Sequence, residues 1–196
     1  MSSLLVGKNS PQIKASAVED GQIIPDFSLE KYIGSYVVLF FYPLNFTFVC
    51  PTELLAFQEA LTLFKERNAV VIGCSVDSPY CHLAWLGLSR EEGGIQGVTY
   101  PLISDLNKTV ARDFHVLKED EGVAYRGLFI LDCEGIIRHQ LVNDLPLGRS
   151  VNEALRSLDM LIAHKTHGQV CPANWRAGDK TMLPTKEGVV HYVKQS

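Results

Sequence analysis

Five cysteines stand in this 196-residue chain, at positions 50, 74, 81, 133 and 171, and Cys50 has the neighbours that could make a thiol react. It lies in the stretch YVVLFFYPLNFTFVCPTE, Tyr36 to Glu53. The run Val37 to Phe41 is unbroken β-branched, aliphatic and aromatic sequence, the pattern of a strand buried on both faces, and Pro43 ends it. Beyond Pro51, Leu54, Phe57, Leu61 and Phe64 recur with helical spacing, which predicts a helix to about Asn68. Proline belongs in the first turn of such a helix, so Cys50 falls at its N-terminus. Unpaired N–H groups and the positive end of the helix dipole favour an anion there, and the thiolate is the nucleophilic form of cysteine. Cysteine is also among the most buried residue types, so position alone leaves an inert core thiol open.

The remaining chemistry-bearing residues are weaker. Cys74 closes the apolar run Ala69 to Ser75 and reads as core filler. Cys81 and His82 invite a metal, but no Cys-x₂₋₄-Cys pair accompanies them, so no metal site is expected. The loop Glu91 to Gly97 is glycine-rich without the spacing of a phosphate cradle. Arg126 opens an apolar strand, where a guanidinium is costly unless an anion meets it. From the residues alone, an ordinary strand-end pair with an exposed acid is the favoured reading of Arg126. Cys171 stands isolated in the C-terminal stretch.

Composition excludes several classes of function. With 46% hydrophobic and 20% charged residues the chain can bury one substantial core. A net charge of -4 without a Lys/Arg cluster argues against a nucleic-acid partner. Neither a basic leader nor a long apolar run is present, so no secretory signal and no membrane span are expected, and the default location is cytoplasmic. Scattered, odd-numbered cysteines do not form the framework of a small secreted domain, and in a reducing cell they start as thiols.

The order of elements predicts an α/β fold. Ile13 to Val18 and Gln22 to Ile24, turning at Glu19-Asp20-Gly21, read as a peripheral N-terminal hairpin. Strand, helix and the strand at Ala69 predict a parallel pair. Leu83, Trp85 and Leu86 read as a helix packing face; Tyr100 to Ile103 follows as a strand, and Asn107 to Phe114 as a helix. After a polar turn at Lys118 to Gly122, Ala124 to Leu131 pairs with Ile136 to Val142 through Asp132 to Gly135. Ser150-x-x-Glu153 is a capping box opening a helix with Val151, Leu155, Leu158 and Ile162 on one side and Gly168 past its end. The sum is a central mixed sheet flanked by helices. Gln169 to Ser196 reads as an extended arm.

Pro43, Thr47 and Cys50 resemble the Pro-x-x-x-Thr-x-x-Cys signature of the peroxiredoxins, and HGQVCPANW, His167 to Trp175, resembles the resolving-cysteine motif of the typical two-cysteine, alkyl hydroperoxide reductase C-like subgroup. The resemblance implies a thioredoxin-like fold over residues 1–166 and a C-terminal arm over 167–196 that carries the resolving cysteine. It implies that Cys50 is the peroxidatic cysteine, that the Thr47 hydroxyl bonds peroxide and thiolate, that Pro43 shields the site and that Arg126 lies beside the sulfur. Cys171 of a second subunit would close a disulfide with Cys50, re-reduced by thioredoxin or a similar dithiol protein, with peroxide as substrate and no metal or organic cofactor. A homodimer able to form a decamer is implied, and an oligomeric holdase chaperone is the alternative function.

Asn45 departs from the family pattern, which commonly has Asp there. Members sensitive to overoxidation carry Gly-Gly-Leu-Gly and a C-terminal Tyr-Phe pair; Gly93-Gly94-Ile95-Gln96 and Tyr192-Val193 stand here, which implies greater resistance. A thiol-disulfide oxidoreductase would need a second thiol where Glu53 stands. For a cysteine hydrolase, no His base can be placed beside Cys50.

Overall fold

The structure, a computed structural model, describes residues 4–194. Its contacts divide the chain into two compact units, Met1–Val151 and Asn152–Ser196. In the first unit the elements run β1 (Ala15–Glu19), β2 (Gln22–Phe27), β3 (Tyr36–Phe41), α1 (Cys50–Glu59), α2 (Leu61–Glu66), β4 (Ala69–Ser75), α3 (Pro79–Gly87), β5 (Leu102–Ser104) and α4 (Thr109–Asp113). They continue through β6 (Leu117–Lys118), β7 (Val123–Ala124), β8 (Arg126–Leu131) and β9 (Ile137–Asn143). The helix α5 (Val151–His167) leads into the second unit, which also holds α6 (Lys186–Val193).

Seven strands form one mixed sheet in the order β2-β1-β5-β4-β3-β8-β9. At its centre β3 pairs with β4 in parallel and with β8 antiparallel, and all six β3 residues are buried, which is why that segment is apolar throughout. The predicted parallel pair and the β8–β9 hairpin are both present. On α1 and α2 the four positions Leu54, Phe57, Leu61 and Phe64 are all buried. Phe57 stacks on Phe40 of β3 at 4.4 Å between ring centroids, while Phe41, Phe114 and Phe129 pack together within 5.8 Å of one another. Helix and sheet are thus joined by aromatic contacts.

Four details differ from the sequence reading. The N-terminal hairpin is not peripheral: β1 pairs antiparallel with β5, and Ala17 and Val18 are fully buried, so the hairpin extends the main sheet. The long helix after Cys50 is interrupted at Ala60, with the apolar stripe continuing across the break. At the polar turn, Leu117 pairs with Ala124 and Lys118 with Val123 as a two-residue ladder too short to leave a pattern. The C-terminal stretch is not wholly extended, because Thr185, after Pro184, caps α6 by accepting a hydrogen bond from the Gly188 N–H at 3.0 Å. Residues 195 and 196 of that arm lie outside the described residues. Among the described residues no helix is long and apolar enough to cross a membrane.

Because Phe57 fastens α1 to β3, Phe57→Ala is expected to cost about 3–5 kcal/mol of stability in urea unfolding of the reduced protein. A loss below about 1 kcal/mol would contradict this account of how the helix is held.

Candidate active site

The parallel strands β3, β4 and β5 all end at one edge of the sheet, and the loops leaving them gather there. Since β8 runs antiparallel to β3, its first residue, Arg126, lies at the same end. Cys50 is the first residue of α1, with Pro51 following it, and its side chain is fully buried. The Val49 carbonyl accepts hydrogen bonds from the Thr52 and Glu53 N–H groups and closes the first turn. Arg126 Nη1 points at the Cys50 sulfur from 3.5 Å. Sequence position and fold therefore bring these two residues together although 76 positions separate them.

The same Nη1 donates to Glu53 Oε2 at 2.8 Å, inside the protein, where Glu53 is 4% and Arg126 3% exposed. Arg126 thus does pair with an acid, but a buried one. Its Nε donates to the Leu145 carbonyl at 2.6 Å. From the opposite side Arg149 clamps Glu53 with both edges: Nε and its own backbone N–H donate to Oε1 at 2.7 and 2.8 Å, and Nη2 to Oε2 at 2.8 Å. Its Nη1 reaches the Phe41 and Gly127 carbonyls at 2.7 and 2.5 Å. The approach is close on the other side of Gly127, where an added Cβ would meet Val116 Cγ1 at 2.7 Å, so only glycine fits. Burial pushes the Glu53 carboxyl up, but the hydrogen bonds and charge of Arg149, with the charge of Arg126, outweigh it and hold Glu53 below its ordinary value. Two guanidinium groups against one carboxylate leave this cluster net positive beside the sulfur.

The loop between β3 and α1 carries the other predicted residues. Pro43 is buried and Thr47 half-buried, its Oγ1 donating to the Leu44 carbonyl at 2.8 Å. That hydroxyl's proton is committed, which leaves its lone pairs to accept. Phe46 holds a left-handed φ of +57°, a conformation costing a bulky residue about 1–3 kcal/mol, so its neighbours must enforce it. Cys171 belongs to the second unit, where its sulfur lies 3.7 Å from the Met160 carbonyl oxygen. Burial pushes the Cys171 thiol up, with Arg156 opposing. Cys74 is fully buried in the core, and burial pushes its thiol well up. No group of three side chains able to hold a metal ion occurs among the described residues.

Two functional residues escaped the sequence reading. Glu53 carried a signal, because it is a charge on the buried stripe Cys50, Glu53, Leu54, Phe57 of an otherwise apolar face. Arg149 carried none: it lies 96 positions from its partner in a loop without periodicity.

Folding lowers the proton affinity of Glu53, so the cluster's contribution is complete above the ordinary value of 4.5 and is lost as pH falls through the lower, folded-state value. Glu53→Gln is expected to lose about 3–5 kcal/mol at neutral pH, and its deficit relative to the parent should shrink as pH drops below about 4.5. Urea midpoints of both proteins measured from pH 3 to 7 test this, and a deficit independent of pH would contradict it.

The sequence pattern of the AhpC/TSA family matches residues 6–140, and that of the C-terminal domain of 1-Cys peroxiredoxin matches residues 160–195. Thioredoxin peroxidase from Echinococcus granulosus is 51% identical over 181 residues, 92% of this chain and 93% of its own length. Peroxiredoxin-1 from Gallus gallus is 51% identical over 180 residues, 91% and 90% of the two chains. Among solved structures, the reduced 2-Cys peroxiredoxin of Plasmodium vivax superimposes with a TM-score of 0.94 at 45% identity, covering 97% of this chain and 99% of that one. The chain belongs to the AhpC/TSA family, with the thioredoxin-like fold of its solved relatives, and is a typical two-cysteine peroxiredoxin.

Proposed function

We propose that the protein is a thiol peroxidase that reduces hydrogen peroxide and alkyl hydroperoxides with Cys50 and completes its cycle with Cys171 of a second subunit. The observation that carries this reading is the buried Cys50 sulfur at the start of α1 with Arg126 Nη1 3.5 Å away. The Cys50 thiolate attacks one peroxide oxygen; an S–O bond forms as the O–O bond breaks. Sulfur is oxidised to a sulfenic acid, and the departing oxygen takes a proton and leaves as water or an alcohol. Negative charge moves from sulfur to the leaving oxygen during this step. A positive cluster already fixed in place stabilises that charge without reorganising, which is differential stabilisation of the transition state. Thr47, with its proton held by Leu44, accepts a hydrogen bond from the peroxide and orients it.

Cys171 then condenses with the sulfenic acid, releasing water and leaving a disulfide that a thioredoxin-like dithiol protein reduces. The cycle starts from reduced thiols, in keeping with a cytoplasmic location. Two features support self-association. β9 ends the sheet, and past Ile137, whose backbone pairs with Gly7 and Lys8, it presents an edge on which a second copy can add. Around the catalytic loop, Phe46, Phe48 (93% exposed), Tyr80 and Leu106 stand exposed, apolar side chains that favour contacts between dimers in a larger ring. The relatives found are named for peroxidase chemistry, which does not favour the chaperone alternative.

One equivalent of hydrogen peroxide is expected to give a disulfide-linked dimer on a non-reducing gel for the parent protein and monomers for Cys50→Ser and Cys171→Ser. Arg126→Ala should slow peroxide consumption by about 10²-fold or more. Undiminished consumption by Cys50→Ser would overturn the assignment.

A further inference from the structure

Beneath the catalytic loop lies a buried polar chain that the reaction scheme does not use. Tyr42 Oη donates to Asn45 Oδ1 at 2.9 Å, Asn45 Nδ2 lies 3.0 Å from His82 Nδ1, and His82 Nε2 lies 3.2 Å from the Ile103 carbonyl oxygen. All three side chains are buried. We infer that Asn45, Tyr42 and His82 are a positioning unit for the loop bearing Thr47 and Cys50, and that the amide of Asn45 fixes His82 as its neutral Nε2–H tautomer. The inference rests on the peroxidase reading and adds to it the residues that hold the loop.

The hydrogen-bond arithmetic leaves one solution. A carbonyl only accepts, so His82 Nε2 carries a proton toward Ile103. Nδ1 then accepts from Asn45 Nδ2, the nearer of its two neighbours, since the Tyr42 hydroxyl stands 3.4 Å from Nδ1 and gives its proton to Asn45 Oδ1 at 2.9 Å. The second amide hydrogen faces Cys81 Sγ at 3.4 Å. Turning the amide over would put Oδ1 against Nδ1 and demand a second proton, making a buried imidazolium. The titratable groups around His82 are Tyr42 just after β3, Asp77 from the loop after β4 and Cys81 from α3. Burial keeps Tyr42 and Cys81 protonated and pushes His82 down, outweighing the pull of Asp77 and the bond to Ile103. Asp77 is itself engaged: Oδ2 accepts from the Asn45 N–H at 2.9 Å and from the Ser75 hydroxyl at 2.6 Å, and Oδ1 lies 3.5 Å from Cys81 Sγ.

Asn45 is therefore held by its backbone N–H, its amide oxygen and its amide nitrogen. The next residue, Phe46, has the left-handed φ and rests its ring 5.6 Å from Trp85. Thr47 and Cys50 follow two and five positions later. A loop that is anchored at Asn45 delivers both to fixed places. A carboxylate at this position could bond Nδ1 only if His82 were protonated, turning a pH-insensitive anchor into a sensitive one.

The test compares kcat/KM for hydrogen peroxide from pH 5.5 to 8.5 in the parent, Asn45→Ala and Asn45→Asp. Asn45→Ala should fall about 10- to 100-fold at every pH, with the KM for the dithiol reductant unchanged. Asn45→Asp should approach the parent at low pH and lose rate as rising pH strips the imidazolium proton, stopping above the Asn45→Ala level because Tyr42 Oη can still donate to the carboxylate. Equal rates in parent and Asn45→Ala, or Asn45→Asp tracking the parent throughout, would overturn the inference. Failure of the parent itself to consume peroxide would instead sink the peroxidase reading. Independently of the activity of the variants, solid-state ¹⁵N spectra of the histidine-labelled parent, with His82 assigned by its loss in His82→Gln, should show Nε2–H and bare Nδ1 across this pH range. A doubly protonated ring or the Nδ1–H tautomer would overturn the inference.

Discussion

The carboxylate of Glu53, held between Arg126 and Arg149, is the interaction on which the arrangement of the site depends. It joins three parts of the chain that are remote in sequence: the first turn of α1, the start of β8 73 positions later, and the loop before α5 96 positions later. Arg149 extends the connection into the sheet through the Phe41 and Gly127 carbonyls. Cys50 precedes Glu53 by three residues and so lies on the same helix face. Where the carboxylate goes, the sulfur follows, and Arg126 is held against both by a single nitrogen.

Burying three charges is expensive, and a well-packed apolar trio of similar volume would often be as stable or more so. Here the cluster has every edge of its carboxylate occupied by donors, so the desolvation cost is met by short, charge-assisted bonds. An apolar replacement could not supply what the proposed reaction uses, a cation already oriented at the sulfur before peroxide arrives. The aromatic stack of Phe57 on Phe40 serves the same end, since it keeps α1 from sliding on the sheet. The guanidinium of Arg149 lies over that same Phe40 ring at 5.2 Å, so core and cluster are one packed body.

Much of this was legible in the residues, for reasons that are local. The apolar run of β3, the proline after Cys50 and the helical recurrence of Leu54, Phe57, Leu61 and Phe64 each report a period or a cap, and each element is present. Arg126 was conspicuous because a charge opened an apolar strand, yet its partner was read as an exposed acid, since local sequence does not say which carboxylate will be folded inside. Arg149 left no trace because its meaning is wholly tertiary. Likewise β1 joins β5 across about 85 residues, and no alternation within a hairpin announces which strand it will lie beside. Asn45 was visible as a departure from the family pattern, but its role became apparent only with His82, 37 positions away, beside it.

The central claim is that Glu53 serves the reaction through Arg126. The rate constant for peroxide reduction in the parent, Glu53→Gln, Arg126→Ala and the double variant tests it as a cycle. If the account holds, Glu53→Gln slows the parent but adds nothing once Arg126 is gone. Losses that multiply independently in the double variant would contradict it.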